Sequence, residues 1–181
     1  MRLAPILTGL LTVGCASSQR LTNTPAEYIA EGACPGEYCC YGRWTLTTAA
    51  TVLSHPNRNA AVLHRVSPGT IIRAETGFVA VQQIGRALIT GHPPDYVTNV
   101  SDLRPGDTLE ILDYVGEGYW NSRLRGVPRL IMGYWDSLGT KGARTLRPQR
   151  QEWWVFVSPP DTTRKGWVLI EGVRRTEDPC A

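Results

Sequence analysis

The chain has 181 residues, a formal net charge of +3, 42% hydrophobic residues and 19% charged residues. This length suits one medium-sized domain or two small ones, and the apolar content is sufficient for a hydrophobic core. The weak positive charge is spread along the chain without a block of Lys or Arg, which argues against a polybasic surface, so no nucleic-acid partner is expected.

The first fifteen residues have the layout of a secretory signal. Arg2 precedes an uncharged, mostly apolar run over residues 3–13, which ends at Gly14-Cys15 and is followed by polar residues. The run is shorter than the roughly 20 apolar residues that a membrane-spanning helix needs. The pattern therefore predicts a signal peptide over residues 1–14 and export from the cytoplasm.

The Gly14-Cys15-Ala16 sequence resembles the lipobox of bacterial lipoproteins. In that family the matching cysteine is joined to diacylglycerol and becomes the first residue, which implies lipidation of Cys15 and a membrane partner through the N-terminal lipid. Many Gram-negative lipoproteins kept at the inner membrane have Asp after the cysteine. Ala16 in that place implies the periplasmic side of the outer membrane. The alternative is an ordinary signal peptide with Cys15 as an incidental thiol.

The other cysteines are Cys34, Cys39, Cys40 and Cys180. An even number of thiols in an exported protein predicts two disulfides, and a bridge between the adjacent pair would be strained. Two connectivities remain open: Cys34–Cys39 with Cys40–Cys180, or Cys34–Cys40 with Cys39–Cys180. Zinc is the alternative, but the spacing is poor for zinc and no His lies nearby. We expect no metal and no cofactor.

Residues 15–42 are predicted to form a lipidated tether and a disulfide-bearing segment, and the pattern after Gly42 is β throughout. Short runs rich in Val, Ile, Thr, Tyr and Trp alternate with turn residues, which is typical of a barrel or sandwich. The predicted strands cover residues 43–48, 51–54, 61–65, 70–75, 78–83, 87–90, 108–115, 119–124, 130–135, 152–157 and 166–170.

Two Pro-Gly turns, at Pro68-Gly69 and Pro105-Gly106, each precede an apolar strand, and the chain closes on Lys165-Gly-Trp-Val168. This arrangement is similar to bacterial SH3-like domains, in which Gly-Trp-Val is typically the last core strand. Over residues 43–174 the resemblance implies a mainly β fold of two small SH3-like β-barrels in tandem, which stand apart or pack as one unit. Barrel 1 would cover residues 43–100, barrel 2 residues 101–176, and residues 177–181 would be a tail. An insert over residues 137–151 departs from a minimal copy.

The segment from Gly116 to Gly126 is the richest in groups that bind ligands. Regular alternation would place Tyr119, Asn121, Arg123 and Arg125 on one face of a strand, and Trp120, Ser122 and Leu124 on the other. In the structural interpretation the first face is simply solvated. In the functional interpretation Tyr119, Arg123 and Arg125 form a platform, because rings stack on sugars and guanidinium groups pair with carboxylates.

The neighbours Trp153 and Trp154 must point to opposite faces of their strand. One face of that strand is expected to lie outside the core or under the insert. Trp153 is therefore a second candidate ligand contact.

Nothing in the sequence predicts catalysis. The histidines His55, His64 and His92 follow no recognised motif, and the cysteines are accounted for by disulfides and lipid. We therefore expect no enzyme. The pair Asp113 and Glu117 leaves open a wall hydrolase, since paired acids can cleave glycosides, although acids at hairpin ends are more often solvated turn residues.

The SH3-like resemblance implies binding of cell-wall peptides or glycans, an inference by analogy of fold. The expected function is that of a non-catalytic cell-envelope lipoprotein that binds peptidoglycan. The alternative is a structural or assembly lipoprotein that docks another envelope protein.

Overall fold

A computed structural model describes residues 25–34, 40–91, 103–132, 142–160, 163–173 and 175–177. The predicted signal peptide, the lipidation site Cys15 and the cysteines Cys39 and Cys180 lie outside the described residues. Within these ranges the chain contains strands and turns but no helix, and so no helix long and apolar enough to cross a membrane.

Thirteen strands are described. They are β1 (Tyr28–Glu31), β2 (Gly42–Leu46), β3 (Ala50–Leu53), β4 (Val62–Val66), β5 (Ile71–Gln83), β6 (Gly85–Ile89), β7 (Thr108–Gly116), β8 (Tyr119–Leu124), β9 (Val127–Met132), β10 (Ala143–Arg147), β11 (Arg150–Ser158), β12 (Gly166–Leu169) and β13 (Arg175–Glu177). The predicted mainly β class is confirmed. The pattern missed β1, β10 and β13, which are short or lie in segments of polar character.

The strands form two antiparallel sheets. The larger sheet curls into a half-barrel with the order β13-β2-β5-β11-β12-β3-β4, and β1 pairs with the C-terminal half of β5. The smaller sheet has the order β10-β6-β7-β8-β9. It is built from the stretch of chain between β5 and β11.

The predicted boundary between residues 100 and 101 does not separate the two sheets. Strands β11 and β12, from the region assigned to barrel 2, pair with β5 and β3, while β6, from the region assigned to barrel 1, pairs with β7. The physical reason is the match between β5 and β11. Both are long, and pairing with β11 along most of its length satisfies backbone groups that β5 would otherwise leave unpaired.

Strand β5 runs unbroken through Gly77, where the sequence predicted two strands. A Cβ atom on Gly77 would lie 2.4 Å from the carbonyl oxygen of Trp154 and 2.7 Å from the hydroxyl of Tyr41. The glycine therefore lets the backbone of β11 and the Tyr41 side chain approach β5 closely, and it does not end the strand.

Each sheet has its own core. The inner face of the half-barrel buries a cluster that includes Trp44, Val79, Val155 and Val168. A smaller cluster, built on Leu109, Ile111, Leu124 and Ile131, fills one face of the smaller sheet. The two cores meet at β7, because Leu112 packs into the larger core while its neighbour Ile111 packs into the smaller one.

Candidate functional site

A β-bulge in β7 shapes the region between the sheets. The pairing of β7 with β8 runs from Ile111 opposite Ser122 to Asp113 opposite Asn121, so Leu112 is an extra residue on β7. A bulge bends its strand and redirects the side chains around it. As a result Ile111, Leu112 and Asp113 are all buried in succession, and the carboxyl of Asp113 lies between the two sheets.

A cleft of about 790 Å³ lies between β1 of the half-barrel and the β7–β8 hairpin of the smaller sheet. Its polar lining comes from tyrosine, asparagine and acidic side chains, and its apolar lining includes Ala30 and Leu130. The polar lining side chains are Tyr28, Glu31, Asp113, Tyr114, Glu117, Tyr119 and Asn121. A concave surface with a few convergent polar groups has the form of a binding site.

Asp113 forms the centre of the polar lining. It is only 2% exposed, and the side-chain amide of Asn121 donates to both of its carboxylate oxygens at 3.1 Å. The hydroxyl of Tyr28 donates a further hydrogen bond. Burial raises the pKa of Asp113, and the hydrogen bonds from Asn121 and Tyr28 act in the opposite direction. Burial, followed by the charge of Asp113, also raises the pKa of Tyr28.

The rim of the cleft is a two-residue hairpin turn at Glu117-Gly118. Both residues have positive φ angles, 52° and 79°, as a type I′ turn requires. The hydroxyl of Tyr114 accepts a hydrogen bond from the backbone N–H of Gly118 at 3.0 Å, which fixes the turn. Glu117 is thus held at the cleft mouth with a backbone conformation that residues other than glycine seldom adopt.

The predicted alternation along β8 is present. Ser122 and Leu124 are buried, and Tyr119 and Asn121 both line the cleft. Arg125 departs from the prediction, because β8 ends at Leu124 and Arg125 lies in the following turn with φ of 51°. It does not share the face of Tyr119.

Both candidate arginines pair with carboxylates of this chain. Arg123 Nε lies 3.0 Å from an oxygen of Glu110, its cross-strand neighbour. Arg125 donates to Asp107 at 2.5 Å, and the pKa of Asp107 is lowered by the backbone N–H of Arg104 and by Arg125. The predicted platform of Tyr119, Arg123 and Arg125 is therefore not assembled as one surface.

Trp153 is a core residue, which corrects its assignment as a candidate ligand contact. It is 8% exposed and packs edge-to-face against Trp44 with 5.6 Å between ring centroids. The guanidinium of Arg175 lies 4.4 Å from the Trp44 ring and 4.5 Å from the Trp153 ring. Trp154 points to the opposite face, as predicted, but is also buried at 2% exposure. Neither ring is available on the surface.

Tyr28 is the site residue that the sequence interpretation missed. Its only signal is an aromatic side chain in an otherwise small and polar segment. Its role depends on β1 pairing with β5, where Tyr28 lies opposite Val81. That contact spans more than fifty residues and has no local sequence signature.

Cys34 and Cys40 are both disulfide-bonded, and Cys34 lines the cleft beside Glu31. The connectivity stays a prediction, because Cys39 and Cys180 lie outside the described part of the chain. Among the side chains that are described, no group of three or more His, Cys, Asp or Glu is arranged to hold a metal ion.

Comparison with known proteins finds no match to this chain among protein families, curated proteins or solved structures.

Proposed function

We propose that this protein is a non-catalytic lipoprotein on the periplasmic side of the outer membrane, and that it binds peptidoglycan in the cleft between β1 and the β7–β8 hairpin. The observation that carries the proposal is the convergence of Tyr28, Tyr119, Asn121 and Asp113 in one cleft of about 790 Å³. Tyrosine rings pack on sugar faces, and amide and carboxyl groups bond to hydroxyl and peptide groups. Peptidoglycan offers all of these partners.

An SH3-like half-barrel is part of the same proposal. The support is the Gly166–Leu169 strand, which pairs with β11 and β3 and buries Val168 in the larger core. In place of two barrels in sequence, we propose one SH3-like unit that carries the smaller sheet between β5 and β11. The cleft then lies where the carried sheet meets the unit.

The anchor would hold the cleft close to the membrane. Tyr28, which forms one wall of the cleft, is thirteen residues after Cys15. A fully extended chain of that length spans at most about 45 Å. A lipid on Cys15 would therefore keep the cleft within that distance of the outer membrane, in reach of the wall beneath it.

The test of wall binding is a pelleting assay with purified sacculi, using the full-length protein purified in detergent. We expect saturable binding at physiological salt and at least a fivefold loss for Tyr119→Ala. Arg125→Ala is the matched control, because Arg125 is exposed, is close in sequence and does not line the cleft. No binding by the native protein would reject wall binding and favour docking to another envelope protein. Equal binding by Tyr119→Ala would reject the cleft as the site.

The lipid anchor has a separate test. Metabolic labelling with an alkyne fatty acid should mark the native protein in the outer-membrane fraction, and Cys15→Ser should abolish both the label and the membrane association. An unlabelled native protein in the soluble periplasmic fraction would show an ordinary signal peptide instead.

A wall hydrolase is the second candidate function. The observation that favours it is the burial of Asp113, whose pKa is raised mainly by that burial, in a cleft that Glu117 also lines. Such environments are typical of catalytic acids. Release of soluble fragments from sacculi, lost in both Asp113→Asn and Glu117→Gln, would establish hydrolysis. Absence of release by a protein that binds sacculi would reject it.

A further inference from the structure

We propose that the cleft recognises a primary ammonium group of its ligand. This inference rests on the proposed function and specifies which chemical group of the wall is bound. The site is the space bounded by Tyr28, Tyr119, Asn121, Asp113 and Glu117. The interpretation of the sequence pointed to a ligand carboxylate, and the arrangement of charges in the folded chain reverses that expectation.

The charged side chains that line the cleft are acidic. Of the described residues that line it, Glu31, Asp113 and Glu117 are acidic and none is basic. No ion pair within the described ranges engages Glu31 or Glu117. A ligand carboxylate would meet carboxylates at close range, which costs free energy, whereas a cation would gain from every one of them.

The arginines that could have reversed this sign are already paired. Arg123, on the same face of β8 as Tyr119, is held by Glu110. Arg125, in the turn that follows β8, is held by Asp107. Arg123 is still close enough for its charge to lower the pKa of Tyr28, against the larger opposing effects of burial and Asp113. The pairing with Glu110 leaves the cleft with acidic character.

The buried carboxyl of Asp113 and the tyrosine rings are arranged to contact an ammonium group. Asn121 and Tyr28 hold Asp113 in one orientation before any ligand arrives, so little ordering is needed on binding. Carboxylate oxygens have lone pairs in excess of the donors already present and can accept from an ammonium group as well. Tyr28, Tyr114 and Tyr119 line the same space, and aromatic faces attract cations.

Chemical modification of the wall shows whether its amines or its carboxylates are recognised. Sacculi whose free amines are acetylated should retain less than a fifth of the protein that untreated sacculi pellet. Sacculi whose carboxylates are amidated should retain it fully. The reverse pattern would overturn the ammonium proposal while leaving wall binding intact.

A test without the wall keeps the two proposals distinguishable. The full-length protein in detergent is titrated with Nα-acetyl-lysine amide, which has one ammonium group, and with its Nε-acetylated form, which has none. The side-chain amide resonances of Asn121 should shift only with the first probe. Glu117→Gln should raise its Kd at least threefold, and the matched control Glu171→Gln, a charge change at an exposed site outside the cleft, should not. Absence of any shift, or equal shifts with both probes, would overturn the proposal whether or not sacculi bind.

Discussion

The side-chain amide of Asn121 donates to both carboxylate oxygens of Asp113 at 3.1 Å, next to the bulge in β7 at which the two cores meet. This contact holds a nearly fully buried carboxyl in place on the wall of a cleft. Asn121 and Tyr119 lie two residues apart on β8 and both line the cleft, so one strand contributes both the support for the carboxyl and an aromatic ring to the same surface.

Replacing Asn121 with Ala should destabilise the fold. Asp113 would keep its burial and lose one of its donors, at a cost of about 1–3 kcal/mol at neutral pH. Because Asn121 favours the ionised form, its loss should raise the pKa of Asp113 further, and the destabilisation should grow as the pH rises. Urea unfolding at several pH values measures this. The same substitution in an Asp113→Asn background should cost less, and an equal cost would show that the contact is not the cause.

Asp113→Asn should change how stability depends on pH. Burial raises the pKa of Asp113 in the folded state, so the unfolded chain releases its proton first as the pH rises. The carboxyl therefore destabilises the fold progressively between its unfolded and its raised folded pKa, and the penalty persists above that window. The amide introduced by the substitution would still accept from Asn121 and could donate to the Tyr28 hydroxyl. The Tm of the variant relative to the native protein should rise from acid to neutral pH. A constant difference would contradict this.

Glu117→Asn should stabilise the hairpin. Glu117 has a φ of 52° in a two-residue turn before Gly118, and Asn-Gly is the pair that this turn type favours. We expect a gain of a few tenths to about 1 kcal/mol in the free energy of unfolding. If Glu117 also contacts ligand, the variant should bind sacculi less well while melting higher. A lower Tm would show that Glu117 makes a stabilising contact in the native state.

Trp153→Ala should be costly for stability. Trp153 is 8% exposed and packs against Trp44 and Arg175, so truncation should cost about 3–5 kcal/mol. Tyr119→Ala, at a half-buried position on the cleft, should cost below about 1 kcal/mol. Chemical denaturation of both variants gives the comparison. Similar costs would contradict the assignment of Trp153 to the core and of Tyr119 to the cleft surface.

Local sequence patterns predicted most of the strands and the hairpin that carries Tyr119. Strand β8 begins and ends where the alternation places it, because a two-residue turn on each side fixes its register. The same local information could not predict the bulge at Leu112. The run Ile111, Leu112 and Asp113 is equally compatible with a regular strand. The bulge is favoured only because the larger core, formed by distant residues, buries Leu112.

The division of the strands between the two sheets and the burial of Trp153 could not be predicted for a different reason. Both depend on β5 pairing with β11 across the intervening smaller sheet. Alternation places Trp153 and Trp154 on opposite faces, but whether a face is covered depends on distant residues such as Trp44 and Arg175. Contacts between residues that are far apart in the sequence leave no periodic pattern from which they could be predicted.

The most direct measurement of the proposed site is photo-crosslinking to the cell wall. The photoreactive residue p-benzoylphenylalanine would replace Tyr119 in the cleft, and in a parallel protein Val62, which is 56% exposed on the edge strand β4. After irradiation with sacculi and digestion of the wall, mass spectrometry should find wall fragments attached at position 119 and none at position 62. Attachment at neither position, or equally at both, would contradict specific binding of peptidoglycan in this cleft.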